Sequence, residues 1–143
     1  MKAINDPAQS KFLNERTSIM LSDCPELKKL HQKLLSLGGD FVVLNNEPDL
    51  KEIITRGVLF NNYKVKLCKM QISHCHSNVA NLWTQRKNIQ IVTGWALSGD
   101  GLWRQHSWAL QGKTIIETTE VRIKYFGFIL TAAEAEQFRW DNW

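Results

Sequence analysis

The segment Met70-Gln71-Ile72-Ser73-His74-Cys75-His76-Ser77-Asn78-Val79-Ala80-Asn81-Leu82-Trp83 changes period at its centre, and the rest of the chain is read outward from that change. Before it, Tyr63 to Met70 alternates apolar and basic side chains (Tyr63, Val65 and Leu67 against Lys64 and Lys66), which is the period of a strand. After it, Cys75, Val79, Leu82 and Trp83 fall at i, i+4, i+7 and i+8, one stripe of a helix that runs to about Arg86. Ser73 is the expected N-cap. Cys75 then stands in the first turn on the buried side. Unpaired backbone N–H groups there lower a thiol pKa and can hold an oxyanion. A buried cysteine beside an apolar stripe is more often a small core residue, so any chemistry at Cys75 depends on partners supplied by the downstream strands.

Downstream the sequence predicts an antiparallel meander. Ile89 to Leu97 is its first strand and Ser98-Gly99-Asp100-Gly101 a turn. Leu102 to Leu110 is the second strand, Gln111-Gly112 the next turn, and Lys113 to Thr119 the third strand. Val121 to Phe126 reads as a fourth, ended or bulged by Gly127. Thr131-Ala132-Ala133-Glu134 is a capping box that opens a last helix through about Phe138. Upstream, a short helix is expected around Lys11 to Met20. Ser22-Asp23-Cys24-Pro25-Glu26 reads as a second helix start, with Leu27, Leu30, His31, Leu34 and Leu37 on its apolar face and Gly38-Gly39 as its end. His31 is read as structural. Phe41 to Leu44 reads as a short strand, and Pro48 to Ile54 as a short helix closed by Gly57. The expected class is α+β: an antiparallel β-sheet meander packed against the preceding helix that bears Cys75.

A length of 143 residues suits one domain with one core, and 43% hydrophobic with 22% charged residues is ordinary for a globular chain. The net charge of +4 is scattered, with no arginine-rich run, so a nucleic-acid partner is not expected. Three cysteines make no disulfide framework and suit a reducing compartment. The opening residues lack a signal-peptide core, and no run approaches a membrane span. Synthesis and residence in the cytoplasm are therefore expected, with signal-independent export still open. Trp83, Trp95, Trp103 and Trp108 cluster in the centre, either as core or as the walls of a cleft.

The Gln111-Gly112 turn, taken as a two-residue hairpin loop, sets His106 opposite Glu117 on the same sheet face. A carboxylate there fixes the imidazole tautomer and raises the basicity of the other ring nitrogen. If the Cys75 helix packs on that face, its first turn brings sulfur to the free nitrogen. Cys75, His106 and Glu117 then form a set for nucleophilic acyl transfer. The plainer alternative is a structural His106–Glu117 pair with Cys75 in the core. His74 and His76 flank Cys75, but consecutive helical residues diverge by about 100° and no second pair has zinc spacing, so neither metal nor cofactor is expected. Both histidines are read instead as partly exposed sources of positive potential near the thiolate.

The order of cysteine at a helix start, histidine on a strand and carboxylate on the next strand resembles that of papain-like and transglutaminase-like thiol enzymes. Cys75-His76-Ser77-Asn78-Val79 is similar to the nucleophile region of N-terminal glutamine amidohydrolases and bacterial glutamine deamidases, over a resemblance spanning Gln71 to Phe128. It implies Cys75 as nucleophile, His106 as general base then acid, and Glu117 as the orienting residue. The chain departs from the family in having Glu as third member. A family oxyanion glutamine stands six residues before the nucleophile, whereas Gln71 stands four before. Gln71, Asn78 or a backbone N–H is the candidate for that role. Trp103 and Trp108 are candidates to frame the cleft, and Arg104 to read an acidic substrate.

The activity these residues imply is cysteine-dependent hydrolysis of a carboxamide or peptide bond, as amidase, deamidase or peptidase, on a protein or peptide substrate. The rival reading is a non-catalytic, basic, Trp-rich protein-binding module on the same fold.

Overall fold

The computed structural model describes residues 6–142, so residues 1–5 and 143 lie outside the described part. The order is helix α1 (Pro7–Asp23), a 3-10 turn at Pro25–Leu27, α2 (Lys28–Leu37), β1 (Phe41–Val42), α3 (Leu50–Arg56), β2 (Val58–Leu59), β3 (Lys64–Leu67), α4 (Cys75–Gln85), β4 (Gln90–Leu97), β5 (Leu102–Gln111), β6 (Thr114–Glu117), β7 (Lys124–Ile129) and α5 (Ala132–Asn142). The class is α+β with a mostly antiparallel sheet, ordered β2-β7-β4-β5-β6-β3, with β1 against β5. Two of its pairings, β1 with β5 and β3 with β6, are parallel. Among the described residues no helix is long and apolar enough to cross a membrane.

The sheet is not the simple meander expected. β4, β5 and β6 follow one another as antiparallel neighbours, but β7 returns to the far edge of β4. Two causes are visible. After Glu117 the N–H groups of Thr118 and Thr119 turn onto the Glu117 carboxylate, at 3.0 Å each, so the chain leaves the ladder. Gly127 is neither break nor bulge. It sits mid-strand opposite Gly94, and a Cβ on Gly94 would collide with the Phe126 carbonyl. Two glycines facing each other let β4 and β7 approach closely.

The four residues 60–63 join β2 to β3, which are the two ends of the six-strand path. Six strands laid flat would set those ends about 24 Å apart, whereas the connection reaches about 18 Å when fully extended. The sheet must therefore curl, and one of its faces carries a small core of Phe60, Val92, Ala96, Trp108, Leu110, Ile115 and Tyr125. The opposite face carries the larger core, in which Val79 and Leu82 of α4 meet Ile91, Trp95, Trp103 and Ala109. Three buried tryptophans, at roughly 150–250 Å² each, supply much of the apolar burial.

Local signals account for most of the helices. The expected capping box forms, with Thr131 N to Glu134 Oε1 at 2.8 Å and Glu134 N to Thr131 Oγ at 3.2 Å. Leu27, Leu30 and Leu34 are buried as α2 and its leading turn require, and His31 is half-buried on that face. α1 is longer than expected because Asp6 caps it and Pro7 opens it, while only Leu13 is buried. Ser22 and Asp23 therefore end α1 rather than start α2. β3 is shorter than expected and exposed throughout, an edge strand whose alternation reflects no buried face.

Candidate active site

One edge of β5 is paired along its length with β4. On the other edge β1 covers Leu102–Trp103 and β6 covers Ala109–Gln111, and no described strand pairs with residues 104–108 there. The N-terminus of α4 enters this gap. His76 Nδ1 lies 2.6 Å from Ser107 Oγ and fastens the first turn to the strand. Cys75 is the first helical residue and is half-buried. Ser73 does not cap the helix. It takes φ +64°, and His74 stands at the cap position without a side-chain bond.

The body of α4 packs on the face opposite His106, contrary to the expectation that the helix would cover the His106 and Glu117 side. Sulfur reaches the ring through the gap instead. Cys75 and His106 line one cleft, and the ring and the Ser107 N–H both act on the sulfur. The ring nitrogen Nε2 lies 2.7 Å from Glu117 Oε1.

The predicted pairing of His106 directly with Glu117 is out of register. The hairpin turns at Gly112-Lys113, with Gly112 at φ +59°, so Gln111 faces Thr114 and Leu110 faces Ile115. The slide is two residues, which preserves parity and keeps both side chains on one face. They meet diagonally.

Glu117 is fully buried, and five donors surround its carboxylate. Oε1 takes His106 Nε2 at 2.7 Å and the Tyr125 hydroxyl at 2.9 Å. Oε2 takes the N–H groups of Thr118 and Thr119, both at 3.0 Å, and the Thr119 hydroxyl at 3.1 Å. Such a cage keeps a buried carboxylate ionised. Burial alone would raise Glu117. The bond to His106 and that ring's charge, with Thr119 N–H and Tyr125, hold it below its ordinary range. Burial and the Glu117 charge push the Tyr125 phenol far up, so it stays a donor.

The same balance acts on Cys75 and His106. Burial would raise the Cys75 thiol, but the His106 hydrogen bond and charge and the Ser107 N–H outweigh it and lower it. Burial would lower His106, but its bonds to Cys75 and Glu117 and their charges raise it. The two shifts together favour a thiolate–imidazolium pair. His76 is lowered by burial, then by the His106 charge, so it is a neutral anchor and not the source of positive potential expected of it.

The remaining expected residues divide. Arg104 lines the cleft of about 370 Å³ that opens on Cys75 and His106. Trp103 and Trp108 do not. Both are fully buried, Trp103 with its indole N–H on the Gly38 carbonyl at 2.9 Å and Trp108 stacked on His106. They fill the two cores because a strand buried on both faces turns both parities inward. Asn78 is buried, and its amide donates to the Gln71 carbonyl at 2.7 Å, tying the preceding loop to α4. The Gln71 side chain is exposed outside the cleft lining. Neither residue lines the cleft beside Cys75.

Tyr125, Ser107, Lys69, Ile72 and Arg122 escaped the sequence reading. Thr118-Thr119, directly after a strand-borne glutamate, was the one local sign of a carboxylate cage. Comparison of the chain with family models, curated proteins and solved structures yields no match.

Proposed function

We propose that the chain is a thiol hydrolase with a papain-like arrangement, acting on a carboxamide or peptide bond through Cys75, His106 and Glu117. One observation carries this reading: a thiol at the first residue of a helix shares a cleft with an imidazole whose Nε2 is held by a fully buried, five-donor carboxylate. A structural His–Glu pair does not require a half-buried sulfur at the mouth of a cleft.

In this mechanism the Cys75 thiolate attacks the carbonyl carbon, and the oxygen gains charge near the free N–H groups of α4. His106, protonated, gives its proton to the leaving nitrogen as the C–N bond breaks. Ammonia or an amine departs and a thioester remains on Cys75. His106 then takes a proton from water as that water attacks the thioester, and the carboxylic acid leaves with the thiolate restored. Glu117 keeps its own proton state throughout and steadies the imidazolium.

Cys75→Ala is expected to abolish turnover and leave the fold intact. Full activity in that variant overturns the proposal. Ammonia release separates a deamidase from a peptidase, which would expose a new α-amine. Iodoacetamide at about pH 6–7 should label Cys75 well ahead of Cys24 and Cys68, whereas equal slow labelling supports the binding module.

A further inference from the structure

We infer that the cleft takes a peptide segment with acidic side chains beside the reacting amide, because Lys69, Arg104 and Arg122 line it around Cys75 with Glu120 as the single carboxylate on the lining besides them. The inference rests on Cys75 being the reacting group, and adds the substrate class to that reading.

His106 and the Ser107 N–H are the groups that lower the Cys75 thiol. The cations are not an average of a basic surface. Gln105 lines this cleft and also a second cavity of about 310 Å³, and that cavity is lined by Glu47, Asp49 and Asp141 with no Lys or Arg. Charge of opposite sign is thus sorted to the two sides of one strand residue, and only the positive side meets the sulfur.

The three cations differ in how far they are already engaged. Arg104 pairs with Asp100 at 2.9 Å. Arg122 is largely buried, bonds the Thr119 hydroxyl at 3.4 Å, and has Glu120 at 3.6 Å. Lys69 is exposed and has no ion-pair partner among the described residues. Lys69 therefore offers charge that the fold does not use. Ile72 on the same lining and Val121, between the lining residues Glu120 and Arg122, are 67% and 52% exposed. An apolar rim beside unpaired positive charge suits a peptide with both acidic and apolar side chains rather than a small inorganic anion. The cleft volume lies within the range of ligand sites.

The test uses the full chain carrying Cys75→Ala and two peptides centred on glutamine, one with glutamate flanks and one with lysine flanks. At low salt the acidic peptide is expected to bind about tenfold more tightly, with the gap closing as salt rises. Lys69→Glu should remove most of the preference without moving the thermal midpoint. Equal affinities, or tighter binding of the lysine peptide, overturn the inference. Both peptides are also given to the unsubstituted chain. Preference without turnover of either peptide counts against the hydrolase reading and supports the anionic preference. Turnover of both at equal kcat/KM overturns the inference and leaves the hydrolase reading in place.

Discussion

The Tyr125 hydroxyl donates to Glu117 Oε1 at 2.9 Å, the same oxygen that His106 Nε2 holds at 2.7 Å. β7 thus supplies a side chain to a set otherwise drawn from α4, β5 and β6. The phenol oxygen also accepts the Arg122 N–H at 3.0 Å, so it links the carboxylate to the segment that forms one wall of the cleft. Tyr125→Phe keeps the ring in the small core and removes that link. Loss of one carboxylate donor, with a partly buried N–H left unpaired, should cost about 1–2 kcal/mol of stability. The acid limb of the rate–pH profile should move up as Glu117 becomes more basic. Urea unfolding and the profile measure the two effects separately. An unmoved profile would make Tyr125 a packing residue only.

Glu117→Gln conserves shape and removes charge. One amide oxygen cannot satisfy five donors, and the amide N–H₂ would face donors on one side. Turnover should fall by roughly 10³–10⁴, as when the orienting carboxylate of a triad is neutralised. Stability should drop by about 2–3 kcal/mol at neutral pH. The unsubstituted chain carries a related pH signature. Its folded carboxylate titrates below the ordinary 4.5, so this stabilisation is complete above that value and is lost as pH falls through the folded one. Glu117→Gln should flatten this acid-side slope. Parallel acid-unfolding curves for the two proteins would contradict the assignment.

The β4–β7 contact makes a prediction about the fold alone. Gly94→Ala places a methyl against the Phe126 carbonyl and 2.5 Å from Gly127 Cα, where backbone on both strands must separate. A cost of about 3 kcal/mol is expected, read from the urea midpoint. Because Gly94 pairs with His106 between β4 and β5, the variant should also loosen the strand that carries His106. A wild-type midpoint would show that the two strands tolerate wider spacing.

These three sites also show what could be read from residues alone. The period change at Cys75 was legible because a strand-like alternation gives way to an apolar stripe over a few residues, and the helix duly begins at Cys75. His106 and Glu117 were legible as a pair because parity survives a two-residue error in register, even though the turn lies one residue later than its glycine suggested. Tyr125 was not legible. Its strand pairs with β4 and not with β6, and that choice is made by two glycines 33 positions apart meeting face to face. The cleft tryptophans were misread for a related reason. Wall and core placements of Trp103 and Trp108 have the same composition, and only the curl of the sheet decides that both faces of β5 are covered. The passage of sulfur through a gap in strand pairing depends on where β1 and β6 stop along β5, a long-range property.

The sharpest test of the Cys75–His106 pair is the thiol itself in His106→Asn. Two opposed influences act on Cys75: burial, the larger single one, drives the thiol up, and His106 with Ser107 drives it down by more in total. Removing the ring removes both its hydrogen bond and its charge and leaves burial nearly unopposed. Alkylation of Cys75 in the unsubstituted chain should therefore inflect below the ordinary 9.0, and in His106→Asn the inflection should move to or above that value. The stability consequence has a definite sign. His106 is raised when folded, so its contribution is complete below the ordinary 6.5 and is lost as pH rises through the folded value. The alkaline loss of stability should weaken in His106→Asn, measured by urea unfolding between neutral and alkaline pH. If instead the alkylation inflection stays where it was, the sulfur owes its reactivity to the helix terminus and Ser107, and His106 has no hold on it.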